Sequence, residues 1–294
     1  MTLFFNVLIA GIATGSIYSL IAIGLVLIFK SSGVINFAQG SMVMVGAFLA
    51  YAFVVQMHLP VLLSIFLALL ISAIIGVLIE RFALRYLTGV SLIAIIMVTL
   101  GISIIMDGGA LAIWGSSNFT FPILFPSFSM ALAGIQISST YLWSFIFSMV
   151  LLLIFLVFFK YSGLGLAMRA AADNQKVSVA LGISPRKVLA LAWAISSAIA
   201  TAGGILLASI SSLSIGLSFI GLTVFPVVIL GGLDSIAGAM VGGILVGVVE
   251  QIAGVYLSPL VGGAFQQVAA FVLLLIILLV KPYGLFGTKE IERL

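Results

Sequence analysis

Residues 160–187 read KYSGLGLAMRAAADNQKVSVALGISPRK, and this polar segment decides how the rest of the chain is organised. It holds five of the eleven basic residues in a sequence that is 64% hydrophobic and only 6% charged. Long apolar runs flank it on both sides. Because hydrocarbon cannot satisfy so many polar groups, the segment must emerge from a membrane as a surface structure. It is therefore the natural contact for a soluble partner.

The composition excludes an ordinary soluble domain. The mean hydropathy is +1.46, and soluble domains have about a quarter of their residues charged. The basic residues are too few and too scattered to follow a phosphate backbone, which argues against nucleic acid. The chain has no Cys and one His, so we expect no metal site and no cofactor. Without a linker or low-complexity tract, residues 1–294 are predicted to form a single transmembrane domain.

Apolar runs of about the length needed to cross a bilayer, roughly 20 residues, recur along the chain. They predict an all-α, polytopic membrane protein with 8–9 transmembrane helices, because residues 217–232 are short and contain Pro226. The nine runs are 4–29, 38–56, 60–79, 91–113, 141–159, 188–209, 217–232, 236–256 and 263–280.

Charge placement predicts the orientation. With the amino terminus outside, all eleven basic residues fall on one face: Lys30, two in residues 80–87, five in 160–187 and three in 281–294. The connections of the other face contain none. Under the positive-inside rule the basic face, including the carboxyl terminus, is cytoplasmic. The longest connection of the other face, residues 114–140, contains prolines and is predicted to be an irregular loop.

Small residues at four-residue spacing predict close helix packing. One such pair is Gly11 and Gly15, and the run 238–247 carries two adjacent rows, Gly238 with Gly242 and Ala239 with Gly243 and Gly247. Two interpretations are open. The rows pack within this polypeptide, or they contact a second membrane subunit.

A few polar residues at membrane depth are candidates for a substrate path. Asn36, Gln39 and Gly40 occur where one span ends and the next begins, and they form either a translocation path or a simple turn. Glu250 is either a carboxylate that reaches water near the interface or one that pairs with a substrate ammonium or carries a proton. Asp234 is expected to cap the following helix.

Motifs for catalysis are missing. The sequence contains no G-x-x-x-x-G-K-[ST], no H-E-x-x-H and no G-x-S-x-G, so it offers neither an ATP-binding loop nor a hydrolase nucleophile. We therefore expect no catalytic residues and no enzyme activity. A stand-alone secondary transporter is also disfavoured, since it needs intramembrane charge relays that are sparse here.

Within the polar segment, three successive alanines and a polar run predict a short amphipathic helix. Gly182 is a suitable helix stop, and Pro185 is a suitable first residue for the next helix. The segment is either a helical hairpin that docks on a partner or a solvated connection.

Four stretches carry a resemblance to a known family. They are INFAQGSMVMVGAF (35–48), GLAMRAAADNQKVSVALGIS (165–184), TAGGILLA (201–208) and VVILGGLDSIAGAMVGGILVGVVE (227–250). In this order they resemble the membrane permeases of branched-chain amino acid ABC importers, over nearly the whole chain. The sequence is most similar to the shorter of that system's two permeases. Related permeases that serve urea or short amides are an alternative.

The resemblance implies partners and a coupling site. It implies two cytoplasmic ATPase subunits, a second homologous permease, a periplasmic or extracellular substrate-binding protein and a location in the bacterial inner membrane. The polar segment would insert into an ATPase cleft and drive alternating access. Ser178 and Val179 depart from the family's coupling pattern, where an acidic residue and an alanine stand. The implied coupling residues are Gly165, Arg169, Ala170, Asp173, Ala180 and Gly182.

Overall fold

The computed structural model describes residues 2–87, 90–122, 129–132, 135–173, 175–261, 263 and 265–287. The described chain is built mainly from α-helices. A π-helical turn extends α2 over Ala52–Gln56 and another extends α10 over Ala253–Leu257, while 3-10 turns cover Leu84–Leu87 and Ile215–Phe219. The helices are α1 Thr2–Ser32, α2 Gln39–Tyr51, α3 Val61–Phe82, α4 Leu92–Trp114, α5 Ser139–Tyr161, α6 Gly163–Asp173, α7 Gln175–Ala180, α8 Pro185–Ile210, α9 Ile220–Gly231, α10 Ile236–Ile252, α11 Ser258–Val261 and α12 Phe265–Val280.

The helices account for every predicted apolar run. Among the described residues, seven helices are long and apolar enough to cross a membrane, and two shorter apolar helices cover Ile215–Gly231 and Phe265–Val280. Each of the nine runs overlaps one of these helices. The prediction of a multi-pass membrane protein of the all-α class is confirmed.

Helix α1 forms the centre of the bundle. It consists mainly of apolar residues distributed around its circumference, and a helix of that kind is stable when it is surrounded by other helices. In an apolar stretch of 18 residues within α1, 89% of the residues are buried, whereas the corresponding stretch of α4 is only 6% buried. Helix α4 therefore turns most of its surface outward, where lipid or another subunit would cover it.

Glycines bring α1 and α10 into backbone contact. A Cβ added at Gly15 would lie 2.7 Å from the carbonyl oxygen of Gly243, and one added at Gly11 would lie 2.7 Å from the Cα of Val248. One turn further along α1, the Ser19 hydroxyl donates a hydrogen bond of 2.7 Å to the carbonyl of Met240. Packing within one polypeptide is thus the correct interpretation of these rows. The other row of α10, Gly238 with Gly242, packs likewise against α9.

The predicted basic segments lie at one end of the bundle, called the basic face. The Lys30 ammonium donates to the carbonyl of Asp234 at 3.3 Å. A groove of about 480 Å³ is lined by residues that include Lys30, Leu84, Ala171 and Leu189. The structure thus groups these segments, while which compartment they face remains a prediction.

Residues after α12 also belong to the basic face. The backbone N–H of Leu285 donates to the Leu230 carbonyl at 2.7 Å, and that of Phe286 donates to the Gly231 carbonyl at 3.1 Å. These bonds satisfy carbonyls at the end of α9 that would otherwise have no partner.

Two local predictions were wrong. The connection 114–140, expected to be irregular, contains a hairpin of β1 (Ser129–Leu132) and β2 (Ile135–Ser138), paired antiparallel with Leu132 opposite Ile135. Alternation of polar and apolar residues in the second strand favours this pairing. The residue that caps α10 is Ser235, which accepts from the N–H of Gly238 at 2.9 Å, and not Asp234.

Candidate functional site

The polar segment folds as two short helices, α6 and α7, followed by a turn into α8. Gly182 has a φ of +80°, a conformation that residues with a Cβ adopt at a cost. Its N–H donates to the Val179 carbonyl at 3.0 Å, and the N–H of Ile183 donates to the Ser178 carbonyl at 2.9 Å. Pro185 is the first residue of α8. The predictions that Gly182 ends a helix and that Pro185 begins the next one are therefore confirmed.

Arg169 and Gly165 fasten α6 to the end of α5. The Arg169 guanidinium donates to the carbonyls of Phe159 and Lys160, the latter at 3.1 Å, and lies 5.5 Å from the centre of the Phe159 ring. These carbonyls belong to the last turn of α5, where no intrahelical donor is available and a cation is favoured. Gly165 is buried against the same turn, and a Cβ there would lie 2.8 Å from the Phe158 carbonyl. These contacts hold α6 directly against the last turn of α5.

The turn between α7 and α8 presents apolar side chains to solvent. Val179 is 55% exposed and Leu181 is 72% exposed, with the exposed Ala180 and Gly182 beside them. Large apolar side chains grouped on a polar surface mark contact sites for other proteins. Ala170 is half-buried, and Asp173 ends α6; the side chain of Asp173 lies outside the described part of the structure.

A groove of about 730 Å³ adjoins this turn. On one side it is lined by Gly182 and Arg186, and on the other by Glu80, Arg85 and Tyr86 at the end of α3. The groove therefore joins the polar segment to a membrane-spanning helix other than α5.

An ion pair in this groove was not recognised in the sequence. Glu80 is only 2% exposed, and Arg85 reaches it with Nε at 3.3 Å from Oε1 and Nη2 at 2.9 Å from Oε2. The charge pattern of the sequence indicates only that Arg85 contributes to the orientation in the membrane. The combination of an acidic and a basic residue five positions apart, at the end of a long apolar run, was the available indication of this pair.

Asn36 and Gln39 form a closed hydrogen-bond network. Both are fully buried. The Asn36 amide donates to Gln39 Oε1 at 3.1 Å, the Ser196 hydroxyl donates to the same oxygen at 3.2 Å, and Gln39 Nε2 donates to the Ile21 carbonyl at 3.4 Å. The network ties the start of α2 to α1 and α8, so in this conformation the two side chains are enclosed by protein.

Gly40 lies next to this network but serves close packing. A Cβ at Gly40 would lie 2.7 Å from the backbone nitrogen of Gly221, at the start of α9. The assignment of Asn36, Gln39 and Gly40 to a substrate path therefore remains a prediction, and it would require α2 to move relative to α8 or α9.

Glu250 occupies a separate place. It is 5% exposed, on α10, and its carboxyl group faces the hydroxyl of Tyr18 on α1. Gln39 approaches α1 at Ile21 from the side of α2, whereas Glu250 approaches at Tyr18 from the side of α10. A water-exposed carboxylate near the interface is not what the structure shows.

The fold is that of a helical, multi-pass membrane protein, and comparison with known families gives its class. The sequence profile of the family described as "Branched-chain amino acid transport system / permease component" matches residues 7–280. The chain belongs to this family of branched-chain amino acid ABC transporter permeases, as the resemblance indicated. The family is one of transport permeases and not of enzymes.

Individual relatives align with this chain in sequence over nearly its full length. The permease protein BraD of the high-affinity branched-chain amino acid transport system of Pseudomonas aeruginosa is 30% identical, with 97% of this chain and 96% of the relative aligned. LivH of the corresponding system of Escherichia coli (strain K12) is 30% identical over 96% of this chain and 95% of its own. A probable branched-chain amino acid permease, LivH of Methanocaldococcus jannaschii, is 29% identical over 94% and 90%.

A solved structure shares the fold. The structure described as PsaBC from Streptococcus pneumoniae in complex with Fab aligns with a TM-score of 0.52 at 15% identity, covering 95% of this chain and 91% of the other. At that identity the similarity concerns the fold alone.

Proposed function

We propose that this protein is a membrane-spanning permease subunit of an ATP-binding cassette importer in the bacterial inner membrane. Its substrates are branched-chain or similar aliphatic amino acids, and the basic face lies in the cytoplasm. Two ATPases bind there, a second homologous permease completes the membrane part, and a substrate-binding protein delivers the amino acid outside.

One observation supports this proposal most directly. The exposed apolar turn of Val179 and Leu181 lies on α7 and the start of the α8 connection, while Arg169 fastens α6 to α5. A partner that grips this turn would therefore pull on the membrane-spanning helices. ATP-driven closure of two ATPases then supplies the energy for alternating access, which the chain itself has no motif to obtain.

The test begins with purification of the chain from its native membrane under mild conditions. We expect two ATPases and a second permease to be recovered with it, and the reconstituted complex to take up leucine only with ATP and the binding protein. Leucine transport by this chain alone would contradict the proposal. So would a complex that takes up urea or acetamide but no branched-chain amino acid.

Variants then test the site. Leu181→Asp places a charge in the proposed contact and should abolish recovery of the ATPases, because charges are disfavoured in the centre of an interface. Leu164→Asp is the matched control, since Leu164 is 47% exposed in the same segment but lies away from the turn. Equal loss of the ATPases in both variants would speak against a contact at the turn.

A further inference from the structure

Three buried polar atoms lie along α1 and the adjoining α10 without a hydrogen-bond partner in the described part of the chain. They are Asn6 Oδ1, Thr14 Oγ1 and Glu250 Oε2. Thr14 is 6% exposed and Glu250 is 5% exposed. Buried polar atoms are nearly always satisfied in native structures, so each unsatisfied one requires an explanation.

A cavity lies beside the first of these atoms, Asn6 Oδ1, at the end of the bundle opposite the basic face. It has a volume of about 260 Å³, and Asn6 and Ala10 line it together with Tyr141 of α5 and Gln251 of α10. Asn6, Ala10, Thr14 and Tyr18 are four residues apart, so they follow one another along one side of α1. Three of these residues, Asn6, Thr14 and Tyr18, are polar, and we call them the polar stripe. The stripe starts at the cavity, continues into the bundle and ends where Tyr18 faces Glu250.

The helix packing brings Glu250 to this depth. Gly15 of α1 lies against Gly243 and Gly11 lies against Val248, so the two helices run antiparallel. Each side chain leans toward the amino terminus of its own helix. The Tyr18 hydroxyl is thereby directed toward Thr14, while the Glu250 carboxyl is directed toward Gly243, and the two groups meet between the helices.

The oxygen atoms of the polar stripe and of Glu250 favour a cation as ligand. A carboxylate and two hydroxyl groups offer oxygen acceptors, and a primary ammonium has three N–H donors to fill them. Within the part of the chain that the structure describes, the Lys and Arg residues fall in the basic-face segments, so none of them supplies a cation at this depth. Ionisable residues inside membranes are usually paired or line a path for substrate or ions. The remaining cavity walls include Val7, Ile9 and Val255, which suit an aliphatic side chain.

We propose that Glu250, with the hydroxyl groups of Thr14 and Tyr18, forms a binding site for the primary ammonium of an aliphatic amino acid that enters through the Asn6–Gln251 cavity. The amino acid as ligand rests on the proposed function. The ammonium fills the unsatisfied acceptors, and the branched side chain occupies the apolar part of the cavity.

Binding to the purified full chain in lipid nanodiscs tests the site. The probes are 3-methylbutylamine, which has the ammonium and a branched chain, and 4-methylpentanoate, which has the branched chain and a carboxylate. Saturation-transfer NMR should show saturable binding of the amine and none of the carboxylate. Glu250→Gln should weaken the amine about tenfold or more, as expected for loss of a charged hydrogen-bond partner. Thr14→Val should weaken it severalfold.

The matched control is Asp107→Asn, which removes another half-buried carboxyl group, on α4; it should leave the affinity unchanged. Tyr18→Phe and Thr14→Val remove one oxygen each and carry the test if Glu250→Gln does not fold. An affinity unaltered by all three changes overturns the site. Displacement of the amine by sodium chloride as effective as by methylammonium chloride overturns the ammonium assignment.

Leucine uptake by the complete complex separates this inference from the proposed function. Amine binding that depends on Glu250, in a complex that does not take up leucine, supports the site and contradicts the function. Leucine uptake that is unchanged by Glu250→Gln contradicts the site alone.

Discussion

Arg85 and Glu80 form a two-point ion pair at the end of α3, with the two N–O distances at 3.3 and 2.9 Å. The carboxyl group is almost completely buried, whereas the guanidinium side chain is 32% exposed. The pair lies in the groove beside Gly182, so it holds one wall of the surface that we assign to the ATPases.

Removal of Arg85 should destabilise the chain strongly. Arg85→Met leaves the buried Glu80 carboxylate without its ion-pair partner, and an uncompensated buried charge lowers the melting temperature. Arg85→Lys keeps the charge but loses the two-point geometry and should cost less. Thermal unfolding in nanodiscs measures both, with Arg81→Met as control because Arg81 is an exposed neighbour. The double variant Glu80→Gln/Arg85→Met should recover part of the loss, and an unaltered melting temperature for Arg85→Met would contradict the pairing.

The glycine contact between α1 and α10 should tolerate no side chain. A Cβ at Gly247 would meet the backbone of Gly15, so Gly247→Ala must separate the helices or strain them. Overpacking of this kind costs about 1–3 kcal/mol. Gly101→Ala on α4 meets nothing within 4 Å and should instead stabilise its helix slightly. The urea concentration at the midpoint of unfolding should fall in Gly247→Ala and rise in Gly101→Ala. A change in the same direction in both variants would argue against the contact.

The turn after α7 should depend on the conformation of Gly182. At a φ of +80° an alanine costs about 1–2 kcal/mol relative to glycine, so Gly182→Ala should loosen the turn. Hydrogen exchange of the amides at Gly182 and Ile183 should become about tenfold faster. Gly163→Ala, an exposed position with free space around it, serves as control. Unchanged exchange in Gly182→Ala would show that the turn does not need this conformation.

Arg169 should be required for coupling and not for membrane insertion. Arg169→Ala removes donors from two carbonyls at the end of α5, contacts worth about 1.5–3 kcal/mol for a charged donor. We expect ATP hydrolysis by the complex to continue while leucine uptake falls at least severalfold. Lys187→Ala, at an exposed site that does not line the groove, tests whether charge alone matters. Parallel loss of hydrolysis and uptake in Arg169→Ala would refute the assigned role.

Gln39 should be needed for stability of the bundle. Gln39→Leu leaves Asn36, Ser196 and the Ile21 carbonyl without one partner each, and such buried groups cost about 1–3 kcal/mol apiece. Gln56→Leu is the control, because Gln56 is exposed. A melting temperature that is the same in both variants would mean that water replaces the lost side chain.

The sequence was sufficient for those features that depend on local patterns. Apolar runs located every long helix, since each needs an uninterrupted stretch to cross lipid. The small-residue rows that contain Gly11 and Gly243 predict close helix packing, and Gly182 with Pro185 predicts the turn before α8. In each case the conformation or the packing requires a particular type of residue, and this requirement does not depend on residues elsewhere in the chain.

Features that depend on distant partners could not be predicted. Nothing local shows that Gly15 meets Gly243, or that Gln39 meets Ser196 across 157 positions. Glu80 was overlooked because its ion pair and burial exist only once α3 is packed. The sequence leaves both interpretations of Glu250 open, because the distance in sequence to the end of the span does not show which way a side chain faces.

The contact of α1 with α10 has a consequence for biosynthesis. Ser19 and Met240 are hydrogen-bonded but lie 221 residues apart. The ribosome synthesises α1 long before α10. The helix that is most enclosed in the finished bundle must therefore first be accommodated in lipid or beside the insertion machinery. Its exposed glycines and hydroxyl groups are then open to wrong partners. Slow decoding or a shortened chain ahead of α10 would therefore strand α1, and the protein would fail by misassembly and degradation even with an intact coupling surface.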